Sequence, residues 1–232
     1  MRTAPAGAGD DTKAPANGRG TTSTEKARSM QNLLSKIHLG LLLASLTAFW
    51  TGCGQEAPEK AAEPAGLSQE ELGEYSHGLA AKEMRFLWTL RGDSLDVKLV
   101  APTTGWVGIG FNPDETENMK GASFIIGYVK AGEAHAFDHY GTEAEKHKED
   151  DKLGGTTDVS NLSGSEEERR TELAFTVPLN SADPNDRPLS VDGDNVILLA
   201  YGKSDSFVLK HRFRAALKVN LSTGEYSVVK MK

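Results

Sequence analysis

One cysteine, Cys53, is all that 232 residues contain, and this scarcity removes several kinds of chemistry. No intrachain disulfide can form, no thiolate metal site or Cys-x-x-Cys redox pair can assemble, and no haem can attach through Cys-x-x-Cys-His. Basic residues are in deficit too. Lys and Arg number 26 against 33 Asp and Glu, a formal net charge of −7, the wrong sign for a phosphate-binding footprint, so nucleic acid is not an expected partner. The pronounced apolar run Leu39 to Trp50 is about 12 residues long, short of the roughly 20 that span a bilayer as a helix. Outside that region no segment sustains a helical apolar period, no internal repeat occurs, and no nucleophile elbow organises Ser, His and acid residues. The glycines of "GWVGIG", Gly105, Gly108 and Gly110, lie in a strand pattern with no helix behind them. They fit close approach of a ligand or another backbone better than a phosphate cradle.

What is present divides the chain in four. Residues 1–29 carry almost no large apolar side chain and read as disordered. Residues 30–53 follow a signal-peptide plan: Met30, Lys36, the apolar run, then Thr51-Gly52-Cys53. A cysteine directly after small residues resembles the lipobox of bacterial lipoproteins, although Trp50 stands where that pattern prefers Leu. The resemblance implies an acylated Cys53 as mature N-terminus, translation from Met30, and a chain exported to the periplasm or cell surface on a lipid anchor. Residues 54–74, rich in Pro, Ala and Glu, read as a tether, and residues 75–232 as the folded domain.

Within that domain, short bounded runs alternate apolar and polar residues: Met84–Leu90, Leu95–Ala101, Trp106–Phe111, Phe124–Val129, Ala134–Tyr140, Glu172–Val177, Val196–Tyr201, Phe207–Phe213, Leu217–Leu221 and Glu225–Val229. Arg91-Gly92-Asp93, Asn112-Pro113-Asp114, Asp192-Gly193-Asp194 and Ser222-Thr223-Gly224 punctuate them as turns. About ten short strands joined this way predict an all-β, antiparallel, immunoglobulin-like sandwich. The acidic stretches "EAEKHKEDDK" and "SEEERR" read as solvated loops or turns.

"GWVGIGF", "MKGASFIIGYV", "FDHYG", "TELAFTVPL" and "NVILLAYG" together resemble a DOMON domain over nearly all of residues 84–221. This sandwich type is named for dopamine β-monooxygenase and is similar to the haem domain of cellobiose dehydrogenase. The family includes haem b carriers, presumed sugar binders and modules without a known ligand. In its haem-bearing branch a methionine of the Met-Gly-Ala loop and a histidine on a late strand are the axial ligands. The resemblance places these roles on Met119 and His211. It implies a non-covalent haem b and one-electron transfer to redox partner proteins or small carriers, without a catalytic site. The ethylbenzene dehydrogenase type of haem subunit pairs methionine with lysine, so Lys203 or Lys210 stands as an alternative second ligand. A haem-free carbohydrate or small-ligand module and an accessory subunit of a periplasmic dehydrogenase are the other readings.

The residues bear on this directly. Met119 sits in the polar loop "NPDETENMKGA", where no apolar period buries it, and a Met/His pair suits a six-coordinate electron-transfer haem. A gap-filling methionine is the plainer alternative. At strand period Phe207, Leu209, His211 and Phe213 share an apolar face, with Lys210 and Arg212 opposite. Trp106, Phe111, Phe124, Tyr201 and Phe207 are the aromatic residues expected to line a haem pocket, and Lys120, Lys203 and Arg212 the basic residues available to propionates. "HAFDHYGTEAEKH" offers His135, Asp138, His139 and His147, but the parity of a strand sends Asp138 away from His135 and His139, so these do not form one tight metal set.

Overall fold

The computed structural model describes residues 65–114 and 118–229. The expected leader, the signal segment with Cys53 and the first half of the tether lie outside the described residues.

Two antiparallel sheets face each other. The first holds, in spatial order, β1 (Ala65–Gly66), β2 (His77–Ala81), β3 (Met84–Arg91), β4 (Ser94–Ala101), β10 (Arg170–Pro178) and β9 (Ser160–Glu167). The second runs β13 (Tyr226–Val228), β12 (Phe213–Asn220), β11 (Asp194–Tyr201), β5 (Val107–Phe111), β6 (Ser123–Lys130), β7 (Glu133–Glu143) and β8 (Lys146–Glu149). Helix among the described residues is confined to Gln69–Leu72, started by a Ser68/Glu71 capping box, and a 3₁₀ turn at Asp150–Leu153. No described helix is long and apolar enough to cross a membrane.

Alternation explains the packing. Val107, Ile109 and Phe111 of β5, with Ile197, Leu199 and Tyr201 of β11, point into the space between the sheets and meet Phe86, Trp88, Leu99 and Leu173 from the other side. Full burial of each such side chain stabilises the fold by roughly 1.5–3 kcal/mol. Trp88 is wholly buried, and its indole N–H donates to the Leu221 carbonyl across the sheets at 2.9 Å. The alternate residues form a second apolar cluster on the outer face of the second sheet. Trp106, Ala122, Phe124, Ile126, Leu198 and Ala216 make it, with Met119 and Phe207 packed against them. An outward apolar face on a sandwich needs a cover or a ligand.

Three expectations are corrected. "EAEKHKEDDK" and "SEEERR" contribute to β8 and β9, which lie at sheet edges. Their polar side chains match edge strands that bury little, so hydrophobic alternation could not reveal them. Phe207–Phe213 is a loop, with only Phe213 in β12. Phe207 packs on the outer cluster, Leu209 stands largely exposed at the cavity rim, and Phe213 alone pairs in the sheet and turns to the core.

Candidate functional site

Trp106, Gly108, Phe124, Ile126 and Leu198, from β5, β6, β11 and the residue before β5, floor a cavity of about 420 Å³, a size typical of small-molecule sites. Met119 enters from the β5–β6 connection, Ala144, Glu145 and His147 from the β7–β8 hairpin, and Phe207 to His211 from the β11–β12 loop. Met119 is half-buried and is held by its backbone: its N–H donates to Ala144 O at 3.0 Å and its carbonyl accepts from Ala122 N at 3.1 Å.

The β11–β12 loop is pinned at both ends. Trp106 N donates to Ser204 O at 3.2 Å, Gly202 N to Trp106 O at 2.9 Å, and Arg212 N to Tyr201 O at 2.8 Å. A Cβ on Gly105 would collide with the backbone of Ser204, so glycine here permits a loop-to-strand approach. Between the pins, Val208 is 93% exposed at the loop's tip while Phe207 turns inward onto Trp106, Phe137 and His139. His211 lies at the solvent-exposed rim, its basicity lowered by partial burial and by Arg214.

An imidazole pair, His147 in the lining and His139 behind it, stands at the cavity wall. His147 Nδ1 and His139 Nδ1 are 3.1 Å apart. Burial pushes His139 down to about 4, helped by His147, and burial lowers His147 as well. Both are therefore neutral at physiological pH, the form in which imidazole binds metal. His135, His139 and Phe137 do share the outer face, and Asp138 does point the other way.

The sequence profile of the DOMON domain matches residues 80–202, more than half of the chain. This chain belongs to the DOMON domain family. Among curated relatives, MOXD1 homolog 2 of Drosophila melanogaster is 28% identical over 117 residues, or 50% of this chain and 15% of the relative. DBH-like monooxygenase protein 1 of Mus musculus is 30% identical over 118 residues, 51% of this chain and 18% of the relative. The matched region thus spans less than a fifth of these relatives. Among solved structures, the cytochrome b domain of pyranose dehydrogenase from Coprinopsis cinerea aligns at TM-score 0.44 and 10% identity, covering 68% of this chain and 82% of its own. The cytochrome domain of Myriococcum thermophilum cellobiose dehydrogenase aligns at TM-score 0.44 and 12% identity, covering 70% and 84%.

In this DOMON domain Met119, His211, Trp106 and Phe207 line one cavity, and Phe124 and Lys210 join them. Phe111 and Tyr201 do not. Both belong to the core between the sheets, because Phe111 is an odd number of residues from Trp106, and Tyr201 from Leu198 and Ala200, so their side chains take the other face. Lys203 and Lys120 are not in the lining either, and Arg214 takes the rim position expected of Arg212. His147 is the lining residue that sequence reasoning placed elsewhere. It faces the cavity because it pairs with Gly141, two residues along β7 from His139, the partner of Phe124, a relation visible only once β8 is known to pair with β7.

The lining fits a haem. The lining holds one thioether, Met119, and two imidazoles, His147 and His211, and a thioether with one imidazole is a donor pair able to fill the two axial positions of a haem iron. The Trp106 indole N–H, buried in the wall, has no hydrogen-bond partner among the described residues. Lys210 and Arg214 supply positive charge at the rim for carboxylates.

Proposed function

We propose that this DOMON domain binds one haem b non-covalently on the outer face of its second sheet and passes single electrons between redox partners. One observation carries the reading: Met119 and His211, 92 residues apart in the chain, line the same apolar cavity. When bound, haem b supplies a one-electron ferric/ferrous couple. Met119 and His211 would hold it, with Lys210 or His147 as the alternative to His211. Trp106, Phe124, Ile126, Leu198 and Phe207 exclude water, and an apolar shell with a thioether ligand favours the reduced state. Lys210 and Arg214 would neutralise the propionates. The domain acts as a carrier without a catalytic site of its own, exported and tethered to a membrane through Cys53, and serves redox proteins, small carriers or a dehydrogenase partner.

A second reading draws on the rim, where Glu145, Lys210 and Arg214 surround an open mouth: a haem-free module for a small polar ligand such as a carbohydrate. Reconstitution separates the two. The purified chain titrated with haem b is expected to give sharp low-spin reduced bands at one haem per chain. Met119→Ala and His211→Ala should each convert these to a high-spin or weakened spectrum, while His147→Ala retains them. No low-spin species in the wild type would exclude the carrier and leave the polar-ligand reading. A wild-type spectrum in His211→Ala with loss in His147→Ala would move the second ligand to His147.

A further inference from the structure

On the other face of β7, at one end of the sandwich, three acids converge. Asp138 projects from β7, Asp150 opens the 3₁₀ turn after β8, and Asp186 comes from the connection between β10 and β11. One carboxylate oxygen of each lies within 4.8 Å of the other two. Two of the three are hidden from solvent, Asp138 at 5% exposure and Asp150 at 1%. Their oxygens are also unmet. Asp138 Oδ1 and both oxygens of Asp150 have no hydrogen-bond partner among the described residues. Asp138 Oδ2 accepts only from Asp158 N, at 3.2 Å. Asn185 approaches Asp150 without reaching hydrogen-bond geometry.

No side-chain cation answers this charge. Among the described residues, Lys and Arg form no ion pair with the three acids. Lys152 is paired with Glu149, and Arg187 with Asp114 and the Gly121 carbonyl. His139, the neighbour of Asp138, stands on the opposite face of β7. Asp158 and Asp183 add negative charge around the cluster. Buried, unpaired carboxylates are costly, so a proton or a metal ion must neutralise them. Burial accordingly pushes Asp138 up to about 8 and Asp186 up to about 6.

We propose that Asp138, Asp150 and Asp186 form a calcium site that fastens this end of the sandwich. Every available donor is an oxygen, which selects a hard cation over zinc, copper or iron. Calcium–oxygen bonds of about 2.3–2.6 Å let two ligands of one ion stand up to roughly 5 Å apart, whereas magnesium at about 2.1 Å would need the acids drawn closer. A small cavity of about 30 Å³ borders the cluster, lined by Asp138, Asp158, Ser181 and Asp186, room on the order of one water. The ion would join β7 and the turn after β8 to the β10–β11 crossover, which links the two sheets. It lies apart from the outer cavity and does not depend on haem.

The test uses the full chain stripped with a chelator. Equilibrium dialysis with radioactive calcium is expected to find one ion per chain, undiminished by equal magnesium. Calcium at about ten times its dissociation constant should raise the melting temperature by about 3 °C. Asp150→Asn and Asp186→Asn should abolish binding and the calcium-induced shift, with melting in chelator equal to or above that of the wild type. Absence of bound calcium in the wild-type chain overturns the proposal, and so does a full shift in both variants. Displacement by equal magnesium overturns the assignment to calcium.

Discussion

At the Met119 carbonyl the backbone is packed so closely that only glycine can face it, and much of the cavity's geometry depends on that contact. A Cβ on Gly141 would sit far inside van der Waals distance of Met119 O. Gly141 also donates to Ala122 O and accepts from Gly121 N, both at 2.8 Å. Gly141→Ala is therefore expected to displace the loop that presents the thioether and to destabilise the fold by about 1–3 kcal/mol. Thermal melts check the stability loss, and haem titration should show weakened low-spin bands. A variant with wild-type melting and spectrum would show that the loop does not need this contact. The same scale explains which aromatic assignments failed. Trp106 and Phe207 could be expected at a ligand from composition alone, but Phe111 and Tyr201 needed the parity of their strands. His147 needed its strand partner.

Elements are fastened across the first sheet by a single carboxylate. Asp96 on β4 accepts from Arg91 Nε on β3 at 2.6 Å and from Thr176 Oγ1 on β10 at 2.7 Å. Burial works to raise its pKa, but the bonds from Thr176 and Arg91 outweigh that and hold it below the ordinary value. A lowered folded pKa means the contribution is present above the unfolded value of about 3.9 and lost as pH falls through the folded value. Asp96→Asn should thus cost about 1 kcal/mol at neutral pH, since the pair is partly solvated, and the deficit should close in strong acid. Denaturant melts at the two pH values measure it, and a gap that persists unchanged in acid would assign the effect to something other than charge. Most strands here were legible because apolar alternation in buried strands is a local pattern. The edge strands β8 and β9 were not, since an edge exposed to water imposes no such alternation. The Phe207–Phe213 segment shows the converse: alternation without a strand up to Arg212, with Phe207 packed on the outer cluster and Leu209 left largely exposed.

For the whole molecule, the proposed export and anchoring would rest on residues 30–53, which lie beyond the described part. If Cys53 is the acylated terminus, cells expressing the chain should incorporate labelled palmitate into it, and Cys53→Ala should lose both the label and the membrane-bound fraction. Label retained in that variant would place the lipid elsewhere, and no label in the unaltered chain would remove the anchor.

Composition and periodicity, which are properties of neighbours along the chain, were enough to predict an all-β sandwich and to exclude disulfide, thiolate-metal and nucleic-acid chemistry, while the DOMON type rested on the resemblance of particular motifs. Only the tertiary structure decided which residues meet. Met119, His147 and His211 gather on one sheet face, and Asp138, Asp150 and Asp186 at one end of the sandwich, because strand order and register bring together segments far apart in sequence. That pairing is a long-range outcome of burying the common core, and no local pattern contains it.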